Sequence, residues 1–264
     1  GKLTAFGEIM PRQLIEVGIA EQNLVGIAAG LASCGKKVIA VSPASFLTAR
    51  ALEQIKNDVA YANHPVKLVG ISAGVSYGAL GATHHSLHDL AALQAIHNLD
   101  IVIPADNFES REAVLAAINH PRPIYLRFGK RAMPENFGAE SEFRLGQGRI
   151  LSEGKDLVFI ATGETVQRAL EAVNILRSRG VDAGVISMHT LHPFDEACVL
   201  AAARKTRAVI TVEEHSVHGG LGSRCAGLLL QAGVYVQFHI AGIPDEEMVN
   251  GSQDEIFRHY GLDG

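Results

Sequence analysis

Short apolar runs recur along the chain, each followed by a longer segment with apolar residues three and four positions apart. Lys37–Val41 (KVIAV), Val66–Ile71 (VKLVGI), Asp100–Ile103 (DIVI) and Pro123–Arg127 (PIYLR) predict strands. Between them, Leu47–Ala60 predicts a helix with Leu52, Ile55 and Val59 on one face, and further helices are expected around Leu87–Ile96 and over Phe108–Ile118. A second series repeats the alternation. Asp156–Ala161, Val181–Met188, Ala208–Glu213 and Tyr235–Ile240 predict strands, while helices are expected from the turn Thr162–Thr165 to Arg179, near Asp195–Ala203 and over Leu221–Gln231. Gly180 supplies the C-terminal stop of the first of these helices. Strands that are apolar throughout and alternate with helices of about ten residues or more signal parallel sheets covered on both faces. Right-handed crossovers then give a doubly wound α/β class. Gly129–Gly148 is polar, glycine-rich and without a sustained period. The expected organisation is therefore a domain over 1–130, a linker over 131–148 and a second, smaller α/β domain over 149–264.

Ile15–Leu31 (IEVGIAEQNLVGIAAGL) breaks the pattern in an informative way. Gln13–Val17 reads as a strand, and Glu21 falls in the first turn of the helix that follows. Leu24, Val25, Ile27, Ala28 and Leu31 make that helix apolar on nearly every face, and Gly26 and Gly30 permit close backbone approach, so a buried helix is expected. An acid at its head has two readings. Either the helix dipole stabilises it there, or it is a buried acid kept for a specific partner, because an unpaired buried charge is expensive. Spacing alone favours the first.

Composition narrows the classes. With a net charge of −5 and no basic run, the chain is unsuited to nucleic acid or an anionic membrane surface. It contains neither a bilayer-spanning apolar run nor a signal-peptide layout. Cys34, Cys198 and Cys225 are odd in number and far apart, which fits neither a disulfide framework nor a zinc site and points to a reducing cytoplasm. His84 and His88 stand four apart beside Asp89, but no third ligand is evident, and no metal site is assigned. Gly220 and Gly222 imitate part of a dinucleotide fingerprint. Cys225 occupies the third glycine position, so docking of the second domain is the stronger reading.

VGIAEQNLVGIAAGLA resembles the pyrimidine-binding domain of the transketolase family of thiamine diphosphate enzymes, most closely the small subunit of split transketolases. VEEHSVHGGLGS (Val212–Ser223) resembles the C-terminal domain that transketolases share with the beta subunits of oxo-acid dehydrogenases. The resemblance implies that Glu21 hydrogen-bonds the aminopyrimidine and activates the cofactor. It implies that Phe46, in PASFLTARALEQI, stacks on the pyrimidine, with Arg50 and Gln54 nearby. His84 matches the histidine that bonds a substrate oxygen, His85 replaces a common glutamine beside it, and Arg127 matches an arginine near the acceptor phosphate, with Lys130 and Arg131 adding positive charge; an end-of-strand salt bridge is an equal reading for Arg127. Catalytic roles are thus expected for Glu21 and His84, cofactor contacts for Glu21, Phe46 and Arg50, and substrate contacts for His84, His85 and Arg127.

Two departures shape the expectation. Leu80 and Ser72 stand where transketolases carry an aspartate and a histidine that read sugar hydroxyls, which points away from the usual pentose and hexose phosphates and toward a modified, branched or otherwise anionic sugar. The Gly-Asp-Gly motif that holds the diphosphate and metal is absent. The resemblance therefore implies a partner large subunit carrying the diphosphate-binding domain with Mg2+ or Ca2+, in an α2β2 heterotetramer, and ketol transfer only in its presence. Because the family's domain has a further helix and strand upstream, the sequence is expected to begin inside a longer natural subunit, Gly1–Pro11 forming a short helix. Alternatives are a deoxyxylulose-phosphate-synthase-like or oxo-acid-dehydrogenase-beta-like subunit, or a non-catalytic regulatory chain of the same fold.

Overall fold

The computed structural model describes residues 3–134 and 142–264. The first half runs α1 (Thr4–Ile9), α2 (Glu21–Ser33), β1 (Ile39–Pro43), α3 (Ala44–Arg50), α4 (Leu52–Gln54) continuing as a π-helical stretch Ile55–Tyr61, β2 (Lys67–Ile71), α5 (Asp89–Gln94), β3 (Asp100–Val102), α6 (Asn107–Ile118) and β4 (Ile124–Arg127). The second half runs β5 (Arg149–Ser152), β6 (Leu157–Ala161), α7 (Thr165–Ser178), β7 (Ala183–Ser187), β8 (Thr190–His192), α8 (Glu196–Lys205), β9 (Ala208–Ser216), α9 (Leu221–Gln231), β10 (Gln237–Ile243) and α10 (Gln253–His259). Two five-stranded sheets result, ordered β1-β2-β4-β3-β8 and β10-β9-β6-β7-β5. All pairings are parallel except β3 with β8 and β5 with β7, which join an edge strand to each sheet. The α/β class expected from the alternation is the one observed.

Several details differ from the sequence pattern. Gln13–Val17 forms no strand. It lies along the surface with Ile15 55% and Ile19 93% exposed, and Gly18 turns the chain at φ 73° just before α2. A strand needs an edge to pair with, and Gln13–Val17 pairs with none of the described strands. Helix α2 buries only Glu21, Val25, Ala28, Ala29 and Ala32, and a Cβ added at Gly26 or Gly30 would meet nothing within 4 Å. Its apolar character is therefore only half used within this chain. The edge strands β5 and β8 and the final helix α10 were not evident in the hydrophobic pattern, because each is short and depends on partners far away in sequence.

Strand β8 crosses the expected domain boundary. It follows the second sheet's β7 but pairs with β3 of the first, with Ile101 opposite His192 and Val102 opposite Thr190. The apolar interior follows the same route. One buried cluster passes from Val25 and Leu47 through Leu99 and Ile101 to Leu191, and on to Ile186 and Ile160 of the second sheet. The two halves thus share a core as well as touching.

A buried ion pair ties this junction. Arg127, at the end of β4, donates through Nε to Asp89 Oδ2 at 2.7 Å and through Nη2 to Asp89 Oδ1 at 3.3 Å. Its Nη2 also reaches the carbonyl oxygens of Ser86 and Glu214, each at 3.0 Å. The Tyr125 hydroxyl donates to the same Asp89 oxygen at 2.9 Å. Gly70 on the neighbouring strand makes room for that phenol, since a Cβ there would collide with the Tyr125 oxygen. Burial alone would raise the Asp89 pKa, but Arg127, His215 and the Tyr125 hydrogen bond outweigh it and hold the carboxyl below its ordinary value. A depressed carboxylate stabilises the fold above its unfolded pKa, and that contribution is lost as pH falls through the folded value. Removing one partner strands the other charge in the interior. Asp89→Asn is expected to destabilise the chain by about 3–5 kcal/mol in urea unfolding, and Asp89→Leu combined with Arg127→Met should cost clearly less than the single change.

Candidate functional site

The site grows from the end of α3 and the start of α2. Glu21 is the first residue of α2, and Ala20 at the N-cap offers no side-chain oxygen, so the carboxylate itself faces the positive end of the helix. It is 6% exposed. Arg50, the last residue of α3, donates through Nη1 to both Glu21 oxygens at 3.1 and 3.0 Å. The arginine side chain is half exposed, whereas the acid is not. One turn earlier on α3 lies Phe46, whose ring centroid is 4.3 Å from the Arg50 guanidinium carbon. The i, i+4 spacing on one helix places both residues on the same face.

From Phe46 the contacts pass to the loop between β2 and α5. The His84 ring meets Phe46 edge-on at 5.3 Å and Tyr77 edge-on at 5.4 Å. Lys130 lies over the Tyr77 ring, 5.4 Å from its centroid. His84 Nδ1 and the Thr83 hydroxyl are 2.9 Å apart. Glu21, Arg50, Phe46, His84 and Tyr77 therefore form one continuous wall. Beside Glu21 a cavity of about 620 Å³ opens, lined by Ile19, Ala20, Glu21, Gln22, Asn23 and Arg50. That volume lies within the range of small-molecule and cofactor sites. Such a wall can hold a proton, stack on a flat ring and offer an imidazole to a polar oxygen.

The other expected contacts are placed differently. His85 is turned under the loop, with Nε2 3.0 Å from the Gly78 carbonyl and Nδ1 buried without a partner. Burial pushes its pKa down, favouring the neutral ring. It braces the loop from beneath, whereas His84 reaches the Phe46 ring. Arg127, expected near a substrate phosphate, is 5% exposed and committed to Asp89 and two carbonyls. A strand-end arginine can serve either purpose, and which one holds depends on an aspartate thirty-eight positions away. Leu80 is exposed at the loop tip, while Ser72 is buried with φ 53°. Tyr77 was missed by sequence reasoning. Its signal was an aromatic residue within the glycine-bracketed loop Gly74–Gly81.

Gly220 and Gly222 frame no dinucleotide phosphate position. The start of α9 is occupied by the chain's own Glu213, whose carboxylate accepts from Leu221 N at 2.7 Å and Gly222 N at 2.8 Å. Burial raises Glu213 to about 7 against the lowering effect of these amides. No group of three or more metal-ligating side chains occurs among the described residues, and none of the described helices is long and apolar enough to cross a membrane.

An acid at a helix start, an aromatic ring beside it and a second α/β layer docked alongside define a class, and comparison with known proteins gives it a family. The transketolase pyrimidine binding domain matches residues 2–135, and the transketolase C-terminal domain matches residues 146–264. An apulose-4-phosphate transketolase subunit of Phocaeicola vulgatus is 48% identical over 259 residues, covering 98% of this chain and 82% of that protein. The 6-deoxy-6-sulfo-D-fructose transketolase subunit of a Clostridium species is 39% identical over 224 residues, covering 85% and 70%. A solved split-gene transketolase, described as an inactive beta4 tetramer, superposes with a TM-score of 0.91 at 35% identity, covering 99% of this chain and 84% of that one. This chain belongs to the transketolase family.

The loop bearing His84 is held by glycines against the second half of the chain. Gly78 has φ 55°, and an added Cβ would lie 2.7 Å from the Gly251 carbonyl oxygen. Gly78→Ala is accordingly expected to lower stability by about 1–3 kcal/mol in urea unfolding, and to accelerate amide hydrogen exchange over residues 77–85 more than elsewhere.

Proposed function

We propose that this chain is the small subunit of a split transketolase, that it moves a two-carbon ketol unit from a ketose to an aldose, and that it acts only with a large subunit. The observation that carries this reading is the buried Glu21 carboxylate on the wall of an open cavity, at the head of a helix whose other face nothing in the described chain covers. The sequence contains no Gly-Asp-Gly, so in this reading the partner holds the diphosphate and its Mg2+ or Ca2+. Exposed Ile15, Ile19 and Ile27, together with the uncovered glycines of α2, suit the surface a partner would bury. A dimer of such heterodimers and a cytoplasmic location follow from the same reading, as does the division into units 1–130 and 149–264.

The residues present fit thiamine diphosphate. When bound, this cofactor supplies a stabilised carbon nucleophile for breaking and making carbon–carbon bonds. Glu21 would hydrogen-bond a pyrimidine ring nitrogen and hold the proton that its activation requires. Arg50 satisfies that acid in the lone chain and, being half exposed, can move aside or share it. Phe46 offers a ring for stacking beside the acid. His84, which can donate and accept in its neutral form, would bond a hydroxyl or carbonyl oxygen of the sugar. Arg127 and His85 would shape the loop that presents His84, while Lys130 beside Tyr77 offers the nearer positive charge for an anionic sugar.

The relatives support the class of substrate. Their names specify apulose-4-phosphate and 6-deoxy-6-sulfo-D-fructose, a sugar phosphate and a sulfonated sugar. Leu80 and Ser72 in place of hydroxyl-reading residues agree with a modified, anionic sugar. The relative described as an inactive tetramer of beta chains fits a site that one chain type leaves half built.

Glu21→Gln, assembled with the large subunit, should lower ketol transfer by at least about 10²-fold while the two subunits still associate. Ketose cleavage is followed by aldose consumption, and cofactor affinity by calorimetric titration with magnesium. Full turnover in this variant would rule out the proposed role of Glu21.

A further inference from the structure

Beyond the wall of the site, a deeply buried polar cluster is unused by the chemistry above. It lies where the C-terminal half meets the loop that carries His84. Gln253, the first residue of α10 and 7% exposed, donates through Nε2 to Glu164 Oε2 at 2.9 Å and to Glu214 Oε1 at 2.8 Å. Glu214 Oε1 also accepts from the backbone N–H of Val75 at 2.8 Å, inside the loop. The remaining Glu164 oxygen, Oε1, is buried without a partner. The fit is close on both sides. A Cβ at Gly74 would collide with the Glu214 carboxyl carbon, and one at Gly129 would collide with Glu164 Oε1. Just before α10, Asn250 and Gly251 press on Gly81 and Gly78 of the same loop.

We propose that Gln253, bridging Glu164 and Glu214, is a positioning residue that latches the His84 loop to the C-terminal half and so sets its place for the sugar. The link to the sugar rests on the transketolase reading, whereas the latch itself rests on geometry alone. A primary amide suits the role because its nitrogen carries two hydrogens and can serve two carboxylates at once. The alternative, two facing carboxylates with no donor between them, would be repulsive and poorly solvated.

Charged groups face the latch from several elements. Arg127 faces the cluster from β4 and is engaged by Asp89. Arg131 and Arg168 face it from the chain after β4 and from α7, and both pair with Asp254 on α10. His215 on β9 lies 3.9 Å from Asp89, and burial drives its pKa down to about 4, leaving it neutral. Arg168 also pairs with Glu171 at 3.3 Å, and the Glu213 carboxyl feels Arg127, so these guanidiniums are outnumbered by the carboxyl groups they serve. Burial and mutual repulsion favour a retained proton on the Glu164–Glu214 pair. Burial, and then repulsion by Glu164, raise Glu214 to about 8, and burial raises Glu164 also. A carboxyl whose pKa is raised on folding stabilises below its unfolded pKa, and that contribution is lost as pH rises through the folded value. The latch should therefore loosen above about pH 8.

Hydrogen exchange of this chain reads the latch without any cofactor, and steady-state kinetics of the complex with the large subunit read its consequence. Gln253→Leu is expected to speed exchange over residues 74–85 about tenfold and to raise the KM for the sugar by a similar factor, with cofactor titration unchanged. Glu214→Gln keeps an acceptor for Val75 and for Gln253 and mimics the protonated acid. It should retain wild-type exchange and KM at pH 7. It should also abolish the extra loop exchange that the wild type shows above pH 8 after correction for the intrinsic rate. The proposal is overturned if Gln253→Leu leaves both readouts unchanged, if it weakens cofactor binding in step with KM, or if Glu214→Gln behaves like Gln253→Leu. Because the exchange measurement needs no turnover, failure of the transketolase reading would leave the loop result standing and would remove only the KM effect.

Discussion

The pairing of Arg127 with Asp89 is the contact on which the arrangement of the two halves depends. The arginine closes the central strand of the first sheet, and the aspartate opens the helix that follows the His84 loop. The same guanidinium takes the carbonyl of Ser86 in that loop and of Glu214 in the second sheet. A lysine has no planar fork with which to make these contacts at fixed angles. The interior tolerates the charge because the guanidinium meets a carboxylate and two carbonyls at once. One side chain thereby fixes the register between sheet, loop and second domain.

Around that pair the chain has built a junction that is polar at its centre and apolar at its margins. On one side, Gln253, Glu164 and Glu214 reach the loop. On the other, Glu109 at the start of α6 accepts from Ser187 at 3.2 Å and pairs with Arg149 at 3.5 Å, joining the first half to β7 and β5. Burial raises that glutamate to about 7 despite the Ala105 amide and Arg149. The apolar cluster running through Leu191 supplies the non-directional attraction, and the buried polar contacts select one orientation from the many that attraction alone would allow. The second domain, which carries none of the expected cofactor contacts, thus has a physical part in shaping the site.

The site lies beside a helix face that this chain leaves uncovered. Glu21, Phe46, Arg50 and His84 come from three stretches of chain and meet in one run of contacts, and Glu21 and Arg50 line the cavity. Helix α2 is apolar beyond what this chain buries, and the surface around it carries exposed isoleucines. Such a face costs a helix nothing when another chain covers it.

The alternation of apolar runs and amphipathic segments determined the α/β class and most of its strands and helices, because burial on both faces of a parallel sheet leaves a direct imprint on hydrophobicity. The words around Glu21 and Val212–Ser223 carried the family, and Glu21, Phe46, Arg50 and His84 were readable as candidate site residues only because each sits in a phrase that resembles it. Tertiary structure alone decided what long-range partners would do. It moved β8 into the other sheet, turned His85 under its loop, and enclosed Arg127 with an aspartate, since the fate of a long charged side chain is set by whatever the fold brings within hydrogen-bonding reach. It also brought Gln253 between two acids nearly forty and ninety positions away, a meeting that no periodicity encodes because it depends on how two sheets dock.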